Sequence, residues 1–195
     1  MGRKASLSRK TKETDISVRL DLDGSGKVDV STGISFFDHM LTALGVHGFF
    51  DLEITAKGDL DVDFHHTVED VGLVLGQALS DALDGKERIV RFGDSCVPMD
   101  EALSRVTIDL SNRPYLVYNF PDSLKGRSEF DAHLAKEFFQ ALCVRGAFNL
   151  HINSYYGENG HHALESMFKA LGRSLHMATR INEAISGTLS TKGAL

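Results

Sequence analysis

Two copies of one pentapeptide pattern hold the residues best suited to chemistry in this chain. His65-His66-Thr67-Val68-Glu69 is matched by His161-His162-Ala163-Leu164-Glu165. Imidazole with carboxylate, and no cysteine beside them, suits Mn, Fe, Co, Ni or Zn better than a thiolate-type structural zinc site. On a helix, consecutive residues point about 100° apart. His65 and Glu69 are then neighbours on one face and can serve one ion. His66 points elsewhere and would serve a second ion. The same geometry separates His161 and Glu165 from His162. The spacing predicts two metal sites, each using a His-Glu pair from one repeat and a lone His from another, in the same subunit or a neighbouring one.

The repeat extends beyond the pentapeptides. Gly48-Phe49-Phe50-Asp51-Leu52-Glu53-Ile54 aligns with Gly146-Ala147-Phe148-Asn149-Leu150-His151-Ile152, and His39 aligns with Glu137. Leu75-Gly76 aligns with Leu171-Gly172 in a register two residues different, so the second copy has the shorter loop before its paired histidines. The elements needed to position these residues can be read from periodicity. Ile16, Val18, Leu20 and Leu22 alternate as a half-buried strand, followed by an Asp23-Gly24-Ser25-Gly26 turn and a return strand from Lys27, expected as a hairpin. Phe36, Phe37, Met40, Leu41 and Leu44 have helical spacing, Leu52 to Ala56 is a strand, and a helix runs from His65 to Leu83, capped by Asp63 or Thr67. In the second half, Ile89 to Phe92 reads as a short connecting strand. Residues 102–110 and 115–120 follow as strands, 122–127 as a polar loop, 130–144 as a helix, 148–155 as a strand and 161–183 as a helix.

The expected fold is α+β, with internally duplicated half-domains of order strand-strand-helix-strand-helix. The first spans residues 1–87 and the second 88–185. Residues 186–195, poor in apolar side chains, read as a mobile tail. At 195 residues, 42% hydrophobic and 25% charged, the composition is that of a globular protein with a sizeable core. The net charge of −6 argues against a general nucleic-acid binder. No apolar run approaches a membrane span, and residues 1–12 lack the apolar stretch of a secretory signal. Cys96 and Cys143 form no ligand spacing or disulfide framework, so a reducing cytoplasm is expected.

His39 and Glu137 are the next ligand candidates, because a position that is His in one copy and Glu in the other suits quasi-symmetric sites. His47, opposite Arg145 in the repeat, is better as a substrate contact. His133, His151 and His176 have no such support and read as structural or surface residues. Lys169 and Arg173 continue the face of Glu165 and would suit a phosphate near the metal. No P-loop, dinucleotide fingerprint or nucleophile elbow is present.

The stretches Phe36-Phe37-Asp38-His39-Met40-Leu41, His65-His66-Thr67-Val68-Glu69-Asp70, Arg91-Phe92-Gly93, Pro98-Met99-Asp100-Glu101, Gly160-His161-His162 and Ser190-Thr191-Lys192-Gly193 resemble the imidazoleglycerol-phosphate dehydratase family. The resemblance runs from about residue 3 to the C-terminus. It implies a duplicated fold like the second domain of ribosomal protein S5, and Mn2+ with two ions per active site. It also implies a homo-oligomeric shell of 24 subunits built from trimers. The implied reaction converts D-erythro-imidazole-glycerol phosphate to imidazole-acetol phosphate and water, in histidine biosynthesis, through a metal-stabilised imidazolate. The implied metal ligands are His39, His65, His66, Glu69, Glu137, His161, His162 and Glu165, with Glu137 standing where many relatives have His. The implied catalytic carboxylates are Glu13, Glu69 and Glu165, moving protons as general acid or base. Glu13, His39, His47, Arg91, Arg113, Lys169, Ser190 and Lys192 would contact substrate, with Lys192 closing over the phosphate. The same residues also admit a di-metal phosphohydrolase, or a non-catalytic protein whose assembly is templated by metal.

Overall fold

The computed structural model describes residues 2–124 and 130–193. The first half contains β1 (Lys4–Lys10), β2 (Thr14–Asp21), β3 (Val28–Ser31), α1 (Ser35–Gly48), β4 (Asp51–Gly58) and α2 (His65–Leu83). The second contains β5 (Phe92–Met99), β6 (Ala102–Asp109), β7 (Tyr115–Asn119), α3 (Ala132–Gly146), β8 (Asn149–Tyr156) and α4 (Gly160–Thr179). Each half forms one four-stranded sheet, ordered β1-β2-β4-β3 and β5-β6-β8-β7. The identical order makes the duplication a property of the fold, and the class is α+β. The two-residue change of register falls between β4 and α2, where six residues separate the strand from His65 and four separate β8 from His161.

Three strands precede the first helix in each half, one more than expected. The missed strands are β1 and β5, both on sheet edges. β1 is rich in Lys, Arg and Ser, and its inward face is only half buried. β5 contains Gly93 and Pro98, which mask any alternation and are tolerated at an edge. The expected hairpin from β2 to β3 does not form. β2 is already paired on both sides, with β1 and β4, so β3 lies parallel to β4 on the far edge. Asp51, at the start of β4, fixes this by accepting from the N–H groups of Ser25 (2.8 Å) and Lys27 (3.0 Å). β7 likewise lies parallel to β8. The expected strand at 89–92 is a single bridge from Ile89 to Ile181, with Phe92 already the first residue of β5, and α4 stops at Thr179 because 180–182 turn to bond with 88–90. The loop expected at 122–127 begins with a short helical turn at Asp122–Leu124, and its remainder lies outside the described residues.

The helices join the halves. α1 packs on α4, α2 packs on α3, and the buried faces of both sheets enclose them in one continuous core. Repeat-equivalent glycines set the helix spacing. A Cβ on Gly76 of α2 would lie 2.5 Å from the Leu142 carbonyl oxygen of α3. A Cβ on Gly172 of α4 would lie 2.3 Å from the Leu44 carbonyl oxygen of α1. Neither backbone can retreat without moving a whole helix.

Two effects therefore compete in Gly172→Ala. Intrinsic helix propensity favours alanine by about 1 kcal/mol, and overpacking against the carbonyl costs about 1–3 kcal/mol. We expect net destabilisation, read as a lower urea midpoint at unchanged slope. A stabilised variant would show that the helices do not meet as closely as described.

Candidate metal centre

The paired histidines occupy the first turns of α2 and α4, and both turns are built alike. The side chain of Asp63 accepts from the His65 N–H at 2.8 Å, and that of Asn159 accepts from the His161 N–H at 2.9 Å. Neither expected cap occupies the position directly before α2, which is Phe64 and has no side-chain cap; Asp63, one residue earlier, accepts from the His65 N–H, and the buried Thr67 hydroxyl has no hydrogen-bond partner among the described residues. The rings within each pair diverge, as helical geometry requires. His65 and His66 stand at 88° with centroids 6.1 Å apart, and His161 and His162 at 83° and 6.0 Å.

The cross-half helix packing completes one compact group. His39 projects from α1, and its Nε2 lies 3.2 Å from Glu165 Oε2 of α4. His161 Nε2 reaches the same oxygen at 3.0 Å. The donor atoms of His39, His161 and Glu165 all lie within 4.8 Å of one another. Asp38 steadies the start of α1 by accepting from the Thr32 N–H (2.8 Å) and hydroxyl (2.5 Å). The other carboxylate oxygen of Glu165 meets the Lys169 ammonium at 2.6 Å. Burial alone would raise the Glu165 pKa, but Lys169, His39 and His161 hold it down to about 2. Glu165 is thus a buried, ionised carboxylate beside two imidazoles, a donor set suited to a divalent first-row ion.

The equivalent α2–α3 contact is looser. His65 Nε2 lies 3.5 Å from Glu69 Oε2. On α3, Glu137 Oε1 faces His133 Nε2 at 3.7 Å, and the His133 ring lies 6.5 Å from that of His65. His133 was not singled out by the sequence, because its repeat counterpart is Ser35 and no motif includes it.

The second histidine of each pair is held by a carboxylate of its own half. His66 Nδ1 lies 3.0 Å from Asp59, and His162 Nδ1 lies 2.8 Å from Glu101. A carboxylate on Nδ1 fixes the proton there and leaves Nε2 as the lone-pair donor. The hydrogen bond that His66 donates to Asp59 raises the His66 pKa, with the nearby charge of Glu13 adding to it. Glu101 raises that of His162 in the same way. Glu101 is itself held to about 2 by His162 and by the N–H groups of Asn159 and Glu158. Asp100, Glu101 and His162 also form a potential ligand group, but the Glu101 contact already engages one His162 nitrogen. Neither Asp59 nor Glu101 was assigned a role from sequence. Asp59 lies in an acidic loop, and Glu101 is some sixty positions before its histidine.

The basic candidates fall into two places. Arg91 pairs with Asp109 (2.7 and 3.1 Å) and donates to the Leu189 carbonyl at 2.6 Å, while Arg113 approaches the same Asp109 at 3.6 Å. Arg91 has a left-handed φ of 74°, a strained conformation for a non-glycine residue, and its N–H donates to the Ala178 carbonyl. Ser190 follows Leu189, and its hydroxyl accepts from the Lys192 N–H at 3.2 Å. Lys169 is held instead at Glu165 and Met99. His47 belongs with this second place. Burial, then Lys169 and Arg173, lowers its pKa. Glu13 sits at the turn between β1 and β2, where its charge acts on His66.

The family model for imidazoleglycerol-phosphate dehydratase matches residues 32–175. Enzymes of that name from Acetivibrio thermocellus and Desulfosudis oleivorans are 52% and 53% identical to this chain, and both alignments cover all of each chain. The crystal structure of imidazoleglycerol-phosphate dehydratase from Staphylococcus aureus has a TM-score of 0.82 at 35% identity, covering 92% of this chain and 99% of its own. The Pyrococcus furiosus IGPD, solved in complex with (S)-C348, has a TM-score of 0.84 at 39% identity, covering 97% of this chain and all of its own.

The raised pKa of His162 has a signed consequence. Its pairing with Glu101 stabilises the metal-free fold fully below the ordinary histidine value of 6.5 and stops doing so as pH rises through the higher folded value. In Glu101→Gln the ring should titrate closer to 6.5, as read by NMR of the metal-free protein. An unchanged midpoint would show that Glu101 does not govern this imidazole.

Proposed function

The chain belongs to the imidazoleglycerol-phosphate dehydratase family, and on that premise we propose that it converts D-erythro-imidazole-glycerol phosphate to imidazole-acetol phosphate and water. It is a carbon–oxygen lyase of histidine biosynthesis. The observation that carries this reading is the meeting of His39 from one half with His161 and buried Glu165 from the other.

The donors fit Mn2+, with two ions per active site. His39, His161 and Glu165 would hold one, and His65, Glu69 and Glu137 would supply the equivalent group. His66 and His162 turn away from these groups and are held by carboxylates on Nδ1, which leaves Nε2 as the donor on each ring, that of His162 lying 3.8 Å from Asp100. We take them as ligands to ions shared with neighbouring subunits, consistent with an assembly of 24 subunits built from trimers. An ion held by these residues would supply Lewis acidity toward the substrate imidazole, which would make the adjacent carbon more acidic.

The protein's own groups do the rest. Glu13 lies on the His66 side and is free of a salt bridge among the described residues, so it suits proton removal and return. Glu69 and Glu165 are already committed to imidazole partners and act first as ligands. Arg91, Arg113 and Ser190, with Lys192, gather around the tail and would hold the phosphate. Lys169 and His47 would meet the substrate beside Glu165. Closure of Lys192 over the phosphate would exclude water from the reacting carbon. Among the described residues, no helix is long and apolar enough to cross a membrane, and we place the enzyme in the cytoplasm with a small phosphorylated imidazole as its partner.

A di-metal phosphohydrolase or a metal-templated assembly protein would use similar ligands. The matched relatives are named as dehydratases; a phosphohydrolase would release phosphate, and an assembly protein would form no product. The purified protein should lose dehydration activity on chelation and regain it with Mn2+, with no phosphate released. Glu165→Gln should bind less metal and lose about 100- to 10,000-fold in turnover. Full activity without metal, stoichiometric phosphate release, or an unaffected Glu165→Gln would overturn the reading.

A further inference from the structure

We propose that His133 is a ligand in the second metal group, binding through Nε2 the same ion as His65. This rests on the reading that the paired-histidine helices bind metal. The two halves differ at this position in a way that calls for compensation. In the first group, α1 contributes the imidazole of His39. In the second, the repeat-equivalent residue on α3 is Glu137, so an imidazole has become a carboxylate. His133 returns an imidazole one turn earlier on the same helix face, where the first half has Ser35.

The placement is deliberate at the backbone level. Asp131 caps α3 by accepting from the N–H groups of His133 (2.7 Å) and Leu134 (3.3 Å), which fixes the start of the helix under the ring. The His65 and His133 rings are tilted by 38° with centroids 6.5 Å apart, against 47° and 5.6 Å for His39 and His161. Donors bound to one ion at about 2.0–2.2 Å are roughly 3 Å apart in cis and about 4.3 Å apart in trans. Within each helix the separations of 3.5 Å for His65–Glu69 and 3.7 Å for His133–Glu137 fall within that span; across the helices the donors are not gathered within 4.8 Å as those of His39, His161 and Glu165 are, so an ion would draw the two pairs together. The charge balance also favours an imidazole here. Lys169 offsets Glu165 in the first group, whereas the equivalent position on α2 is Leu73. Among the described residues the second group therefore has two carboxylates and no ammonium paired with them, and a neutral ring adds a donor without adding charge.

The test is Mn2+ titration of the metal-free protein, followed by electron paramagnetic resonance of free and bound ion, for the parent and His133→Ala. His133 is exposed, so the substitution leaves the core intact, and circular dichroism checks this. The parent should bind Mn2+ in two classes of site. In His133→Ala one class should weaken by about 10- to 100-fold, the other should hold, and the spin-echo modulation from imidazole nitrogen should lose one ring's contribution. Unchanged affinity in both classes, or unchanged modulation, would overturn the role of His133 and leave the wider metal reading standing. A parent that takes up no Mn2+ would overturn both.

Discussion

The close crossing of helices between the halves is the constraint on which the rest depends. Gly76 admits the Leu142 carbonyl and Gly172 admits the Leu44 carbonyl, so at these two points α2 lies directly against the backbone of α3 and α4 against that of α1. Only at that separation does His39 on one half reach Glu165 on the other, at 3.2 Å. Neither half could assemble the group alone. A chain with the same histidines and larger residues at these two glycines would keep its motifs and lose their geometry.

Electrostatics then divides the labour within each histidine pair. The first histidine shares a face with its Glu and joins the partner helix. The second is turned away and tied to a carboxylate, Asp59 or Glu101, that sets its tautomer. The same rule appears twice with different sequence solutions: a loop Asp just after β4 in one case, a Glu between β5 and β6 in the other. Glu165 shows which effect prevails at the centre. Burial opposes its charge, but one ammonium and two imidazoles outweigh that opposition and keep it ionised at about 2.

Much of this was legible in the sequence because both signals are periodic. The i,i+4 spacing of His and Glu places them on one face wherever a helix forms, and the repeat identified His39 and Glu137 as equivalents without any fold. Alternation revealed β2, β4, β6 and β8, the strands buried on one face. The edge strands escaped because a half-solvated strand of Lys, Arg and Ser, or one broken by Gly93 and Pro98, has no contrast to detect. The false hairpin from β2 to β3 shows that a good turn does not fix pairing when both edges of a strand are already taken. His133, Asp59 and Glu101 were illegible for a different reason. Their roles come from partners brought close by tertiary packing, and Ser35 at the repeat position gave no hint of a histidine.

Anomalous scattering from crystals of the Mn2+-loaded protein tests the central claim, that helices from opposite halves jointly hold the ions. One peak should lie among His39, His161 and Glu165 and a second among His65, Glu69 and Glu137, with His66 and His162 reaching ions of neighbouring subunits. Peaks confined to Asp100, Glu101 and His162, with none between α1 and α4, would contradict it.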